Sequence, residues 1–283
     1  MTTADLTRTR GAAGSATRAY PLDNRHEAAA AHLHALAELL DPLTRQRITA
    51  LGALADARCL EVGAGSGSIA IWLADRVGYR GEVVATDLKP DLIPAHPRLT
   101  VVGYDLTAPG PWPAALAGPF DLIHARLTLA HLPNRRAVCH ELATRLAPDG
   151  VLLIEDWAAL ATDVVVTAPS AAAAHLYERY QRLAAEVFDA GGTDRTWARR
   201  IHAVLRDEGL VDVTTVVHAG YWTAGSPGLR MVAAVSQQLR PQLRMRGMTD
   251  GQLDRLLRVL ADPGLVVHGH PLYATSGRRR VRE

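Results

Sequence analysis

The chain has 283 residues, 48% of them hydrophobic, which is enough to bury a sizeable core and marks it as a folded globular protein. Its 31 Lys and Arg against 29 Asp and Glu leave a formal charge of +2, too near balance for the positive field that a phosphate backbone demands, so nucleic acid is not an expected partner. No apolar run approaches the roughly 20 residues of a membrane span, and the polar start lacks the apolar stretch of a secretory signal.

Cys59 and Cys139 each sit among apolar residues and read as small buried side chains, not as a disulfide or metal framework, which points to a cytoplasmic compartment. Residues 1–19 are small, polar and unpatterned, a tail expected to order only where something packs on it. From His26 to Leu40 the apolar positions Ala29, Leu33, Leu36, Ala37 and Leu40 recur at three and four, the period of an amphipathic helix that should end before Pro42. A second helix is expected from Leu43 to Leu54. The period then changes. Cys59-Leu60-Glu61-Val62 reads as a short strand entering Gly63-Ala64-Gly65-Ser66-Gly67, with a helix from Ser68 to Arg76 behind it.

Further strands are expected over Glu82–Thr86, stopping at Asp87, and Leu99–Gly103, stopping near Asp105, then over Asp121–Ala125 and Val151–Glu155. Between the last two lies a helix from Asn134 to Leu146, closed by Pro148-Asp149-Gly150 as a turn. Strands alternating with helices predict a doubly wound α/β fold, a parallel sheet covered on both faces. After Trp157 the alternation lapses. Ser170–Ala190 is a long Ala-rich helix carrying Tyr177, Tyr180 and Phe188, and is expected to act as a lid. Trp197–Glu208 is a helix stopped by Gly209, Val211–His218 a strand, Leu229–Leu239 and Thr249–Leu260 helices, and Leu272–Ser276 a last strand; the basic end from Gly277 reads as a solvated tail. The organisation expected is a tail and helical cap over 1–56, a core over 57–160, a lid over 161–199, and a segment over 200–283 that completes the sheet with inserted helices.

Chemistry concentrates at the glycine turn. Its three alternate glycines permit positive φ and remove the Cβ atoms that would hold a nucleotide-like ligand away from the backbone. Asp87 follows at about the 20-residue spacing at which a carboxylate reaches ribose hydroxyls. A dinucleotide fingerprint would place its third glycine where Ser68 stands, so a nicotinamide or flavin dinucleotide is disfavoured. Preceded by Glu61, this turn closely resembles the first motif of class I S-adenosylmethionine-dependent methyltransferases, in their small-molecule branch, and the resemblance runs from about Tyr20 to Trp157. It implies a seven-stranded, mostly parallel sheet with N-terminal helices and a helical lid. It also implies S-adenosylmethionine as cofactor, with Glu61, Gly63, Ala64, Gly65 and Gly67 around the methionine part, Asp87 on the ribose, and Leu88, Asp105 and Leu106 around the adenine. Arg126 would hold the cofactor carboxylate.

For the transfer itself the candidates are His131, in Leu-Ala-His-Leu-Pro, then Asp156 with Glu155, and Tyr20 over the sulfonium. Against these stand plainer roles: His131 and His124 as packed framework, the two acids as a polar strand end, Tyr20 as an anchor of the first helix. A nucleobase amino acceptor is disfavoured because Arg126-Leu127-Thr128-Leu129 replaces the Asn/Asp-Pro-Pro-aromatic motif, and a Lys-dependent ribose acceptor because Lys89 is the sole lysine. His268-Gly-His270 is similar to a metal pair, yet no partner ligand is identifiable and no metal is expected. Trp157, Tyr177, Tyr180 and Trp222, with Phe188 and Tyr221, suit a pocket for an apolar or aromatic molecule. The expectation is O-methylation of an aromatic or polyketide-like secondary metabolite. Carbon or nitrogen transfer, and a non-methylating use of the pocket for cyclisation or binding, remain open, as does a homodimer.

Overall fold

The computed structural model describes residues 21–22, 26–52, 54–159 and 163–280. In chain order its first elements are α1 (Ala29–Leu51), β1 (Arg58–Val62), α2 (Ser68–Ala74), β2 (Glu82–Asp87), β3 (Leu99–Gly103), β4 (Phe120–Arg126), α3 (Arg135–Thr144) and β5 (Leu146–Trp157). Then come β6 (Val165–Thr167), α4 (Ala171–Ala190), α5 (Ile201–Asp207), β7 (Val211–His218), β8 (Tyr221–Thr223), α6 (Pro227–Gln238), α7 (Arg240–Met245), α8 (Asp250–Leu260), β9 (Val266–His268) and β10 (Leu272–Arg278).

Seven strands form one mostly parallel sheet, as expected, and their order is β3-β2-β1-β4-β5-β10-β7. β10 runs against both its neighbours; the other pairings are parallel. Period-two alternation sorts the strands into two cores. Leu60, Val62 and Ile123 face Leu142 and Ile201 on one side, while Cys59 and Leu153 face Ile69 and Leu73 on the other. Each such leucine or isoleucine, removed wholly from water, contributes roughly 1.5–3 kcal/mol. Because β1 and β4 are adjacent, the strand order reverses there, and a crevice opens outside their C-terminal ends.

Three local expectations are corrected. The two N-terminal helices are one, α1, with Pro42 inside it. Proline withholds one N–H from the helix ladder, but the flanking Asp41 and Thr44 are both tied to Arg126, at 2.8 Å each, which holds the helix through the break. The Pro148-Asp149-Gly150 turn is a bulge inside a longer β5: Asp149 has φ of +64°, its N–H donates to the Arg279 carbonyl at 3.0 Å, and the Arg279 N–H donates to the Gly150 carbonyl at 2.9 Å. Beyond β5 the sequence pattern missed a small antiparallel sheet of order β6-β9-β8 and the short α7.

The buried face of α4, with Leu176, Tyr177, Tyr180, Leu183 and Val187 at helical spacing, packs into one apolar cluster with α6 and α8, so the expected lid and inserted helices form a single body. No helix among the described residues is long and apolar enough to cross a membrane.

Candidate active site

The backbone makes the first part of the site. Gly63, Gly65 and Gly67 have φ of +70, +57 and +81°, where glycine alone sits without penalty. Their reasons differ. A Cβ on Gly63 would fall 2.1 Å from Thr128 Oγ1, and one on Gly67 would fall 2.8 Å from Ile93 Cγ2, so both positions are bare because the chain packs on itself. A Cβ on Gly65 would meet only Leu33 Cδ2, at 3.6 Å, and its space opens into the crevice. Of the three glycines, Gly63 and Gly65 line the crevice, and only at Gly65 is the missing Cβ's own space open to it; Gly67 is no part of the crevice wall.

Asp87 ends β2 with one carboxylate oxygen 2.9 Å from the Gly65 N–H and the other 2.9 Å from the Lys89 N–H, both donating to it. These bonds fix the carboxylate beside the turn and leave lone pairs on both oxygens for ribose hydroxyls. Asp105 Oδ1 accepts from the Thr107 N–H at 2.8 Å and from its hydroxyl at 2.7 Å, while Ala64, Leu88 and Leu106 complete the same wall. The Thr86 hydroxyl oxygen, also in this wall, is buried with no hydrogen-bond partner among the described residues. A bare Gly65, a fixed acid and an orphaned hydroxyl together fit an adenosyl group.

Beneath the turn lies a buried charge network. His124 is held between Glu61 Oε2, 2.7 Å from Nδ1, and Glu155 Oε2, 3.2 Å from Nε2; Glu155 also accepts from the Thr44 hydroxyl and from Arg47 Nη1 at 2.6 Å. Burial alone would lower the His124 pKa, but the Glu61 charge and the bonds to both acids outweigh it and raise it to about 9. Burial would raise Glu155; the His124 bond and charge and the Thr44 hydroxyl overcome this and lower it to about 2. Arg126, expected on the cofactor carboxylate, lines the crevice while its guanidinium donates to Asp41 and Thr44 of α1.

At the other end of the crevice β5 presents Asp156 and Trp157. Asp156 is buried and accepts the Ala130 N–H at 3.3 Å; burial drives its carboxyl up to about 8, against the pull of that N–H and of Arg135. His131 Nδ1 lies 2.9 Å from Thr193 Oγ1, and its ring tilts against Phe188 with centroids 6.3 Å apart. Burial, then the charge of Arg135, lowers His131 to about 4. Sequence reasoning missed what holds this end together. Arg135 donates to the Ala130 and Gly192 carbonyls at 3.3 and 3.1 Å and to Asp194 at 3.3 Å, and the Asp194 N–H donates to the Ala130 carbonyl at 2.8 Å. The loop after α4 is thereby lashed to the turn that carries His131. One signal was present: Arg135 and Arg136 open α3, where the helix dipole disfavours cations.

Of the aromatic residues expected around the acceptor, Trp157, Tyr180 and Phe188 line the cavity. Tyr177 and Trp222 do not. Tyr177 is fully buried in the helical cluster, its hydroxyl taking a 2.6 Å bond from Gln181. Trp222 is wedged against Gly228 and Gly269, where added Cβ atoms would come within 2.2 and 2.5 Å of its indole. Tyr221 is exposed, and Tyr20 lies outside the described residues. The rings of His268 and His270 part company, the first against Tyr221 at 5.0 Å and the second between Trp157 and Trp222 at 5.4 and 5.5 Å, so they do not converge as a metal pair.

The glycine end and the Asp156 end belong to one cavity of about 1760 Å³. The sequence model of a family described as a methyltransferase domain matches residues 24–215 of the chain. The chain belongs to that methyltransferase-domain family. Over 106 residues this methyltransferase-family chain is 42% identical to methyltransferase str2 of Strobilurus tenacellus, the match covering 36% of each chain. Over 119 residues it is 31% identical to nocamycin O-methyltransferase of Saccharothrix syringae, covering 40% of this chain and 42% of that one. The matched stretches thus span less than half the length of these curated relatives. Among solved structures, the YcgJ protein of Bacillus subtilis covers 84% of this chain and 97% of its own at a TM-score of 0.52 and 15% identity, a likeness of fold.

Proposed function

We propose that the protein transfers a methyl group from S-adenosylmethionine to a hydroxyl of a small aromatic or polyketide-like metabolite. The observation that carries this is the cavity of about 1760 Å³, which exceeds the roughly 300–1,000 Å³ of a single small-ligand site and runs from the Gly65–Asp87 cradle to Asp156 and His131. That volume supports a cofactor and an acceptor bound side by side. When bound, S-adenosylmethionine supplies a methyl group already activated on a sulfonium, so the protein's share is alignment, exclusion of water and removal of the acceptor proton.

For binding, Asp87 takes the ribose hydroxyls, Gly65 admits the ligand to the backbone, and Asp105, Leu88 and Leu106 bound the adenine. For the proton, Asp156 stands ahead of His131: a carboxyl held near 8 by burial is a stronger base than an imidazole lowered to about 4. His131, neutral and oriented by Thr193, borders the acceptor hydroxyl. That relatives are named for methyl transfer, one of them an O-methyltransferase, supports reading the reaction as O-methylation. The test incubates the full chain with S-adenosylmethionine and a panel of phenolic metabolites and follows S-adenosylhomocysteine release, with products weighed by mass spectrometry. A product heavier by one methylene, on oxygen, is expected. Tight S-adenosylhomocysteine binding without transfer to any acceptor would favour the non-methylating use of the pocket.

A further inference from the structure

The sequence singled out His270 as half of a metal pair, and the fold gives it other company. Its side chain lines the acceptor end of the cavity. The ring is gripped by Trp157, tilted 38° with centroids 5.4 Å apart, and by Trp222, edge-on at 74° and 5.5 Å. The loop beneath it is pinned as well: the Gly269 N–H donates to the Gly220 carbonyl at 2.8 Å, and the Ala158 N–H donates to the Pro271 carbonyl at 3.0 Å. Trp222 rests on Gly228 and Gly269, so the whole stack is braced from behind.

Among the described residues no hydrogen bond reaches either ring nitrogen of His270. Burial, with Arg195 second, lowers its pKa to about 4, and Arg195 itself is taken up by two 2.8 Å bonds to Asp189. At neutral pH the ring is therefore an uncharged group with one N–H to give and one nitrogen to receive. A fixed, desolvated polar group facing a cavity discriminates sharply, because a ligand that leaves it unmatched forfeits the bond it makes in water.

We propose that His270 is a specificity-determining contact for the acceptor, reading a second oxygen on a planar aromatic molecule laid against Trp157. This rests on the methyltransferase reading above and adds to it the shape and polarity of the acceptor. His270 lies outside the stretch 24–215 matched by the family, so the contact belongs to the part of this chain that the shared domain does not cover.

The experiment measures binding, not turnover. The full chain is saturated with S-adenosylhomocysteine and titrated, by quenching of its tryptophan fluorescence, with naphthol and with a dihydroxynaphthalene bearing its hydroxyls on opposite rings. The native chain is expected to prefer the dihydroxy probe by roughly tenfold, the size of one hydrogen bond. His270→Phe, which keeps the ring against both tryptophans, should bind naphthol within about twofold of the native chain and lose the preference; His270→Gln, which restores a donor and an acceptor, should recover part of it. Equal preference in the native chain and His270→Phe overturns the proposal. So does failure of both probes to bind the cofactor-loaded chain. Should S-adenosylhomocysteine itself fail to bind the native chain, it is the methyltransferase reading that falls.

Discussion

Asp156 and His131 stand at the same end of the cavity with their acidities moved in opposite directions, and that difference gives each a distinct signature. If Asp156 takes the acceptor proton, kcat/KM should rise about tenfold between pH 7 and 9, as a carboxyl near 8 ionises. An imidazole near 4 is already neutral across that range, so a flat profile from pH 6 to 9 would transfer the role to His131. Asp156→Asn should lower kcat by roughly 100-fold or more. Its stability should move the other way. The folded carboxyl is raised above its ordinary 3.8, so it disfavours the fold increasingly as pH climbs from there towards 8, and the asparagine variant should melt higher at pH 8. Gly65 is tested by Gly65→Ala. The new methyl meets only Leu33, and the left-handed backbone costs about 1–2 kcal/mol, so the fold should persist while S-adenosylhomocysteine affinity, measured by calorimetry, drops at least about tenfold. Undiminished affinity would mean that no ligand approaches that Cα.

At the level of elements, α1 is fastened to the sheet by charge as much as by apolar contact. Arg47 and Thr44 reach Glu155 on β5, Asp41 and Thr44 meet Arg126 on β4, and His124 bridges the acids of β1 and β5. Removing the bridge by His124→Leu leaves Glu61 and Glu155 facing each other in the core and should cost roughly 3–5 kcal/mol in urea unfolding at pH 7. The pH dependence has a definite sign. His124 is raised from 6.5 to about 9 on folding, so its contribution is complete below pH 6.5 and fades as pH rises through 9. Asp156 adds a decline of its own below pH 8, yet it is present in both chains, so the gap between native and His124→Leu unfolding curves isolates the bridge. That gap should shrink from pH 6.5 to 10; a constant gap would show that His124 is neutral in the fold. None of this was visible in the sequence, where Asp41, Thr44 and Arg47 lie about 80 to 110 residues from their partners.

For the whole molecule, the order of strands and helices was legible because its signals are local. A short apolar strand, three glycines and an acid at the next strand's tip are read within some 30 residues, and β1, β2 and β3 fall where they were expected. What stayed hidden depends on distant packing. Tyr177 and Tyr180 occupy one helix three residues apart, yet only Tyr180 reaches the cavity, and no periodicity states which face of a buried helix meets a hole. The three-residue strands β6, β8 and β9 are too short to show a pattern, and Thr193 and Arg135 matter through a loop that returns from a later helix. β10 carries a different kind of consequence. It wedges between β5 and β7, so the strand that carries Asp156 keeps one unpaired flank until a stretch made more than 100 residues later has left the ribosome. At 5–20 residues per second that is an interval on the order of ten seconds. During translation the half-built sheet carries an unpaired edge open to stray strands until the late arrival slots home.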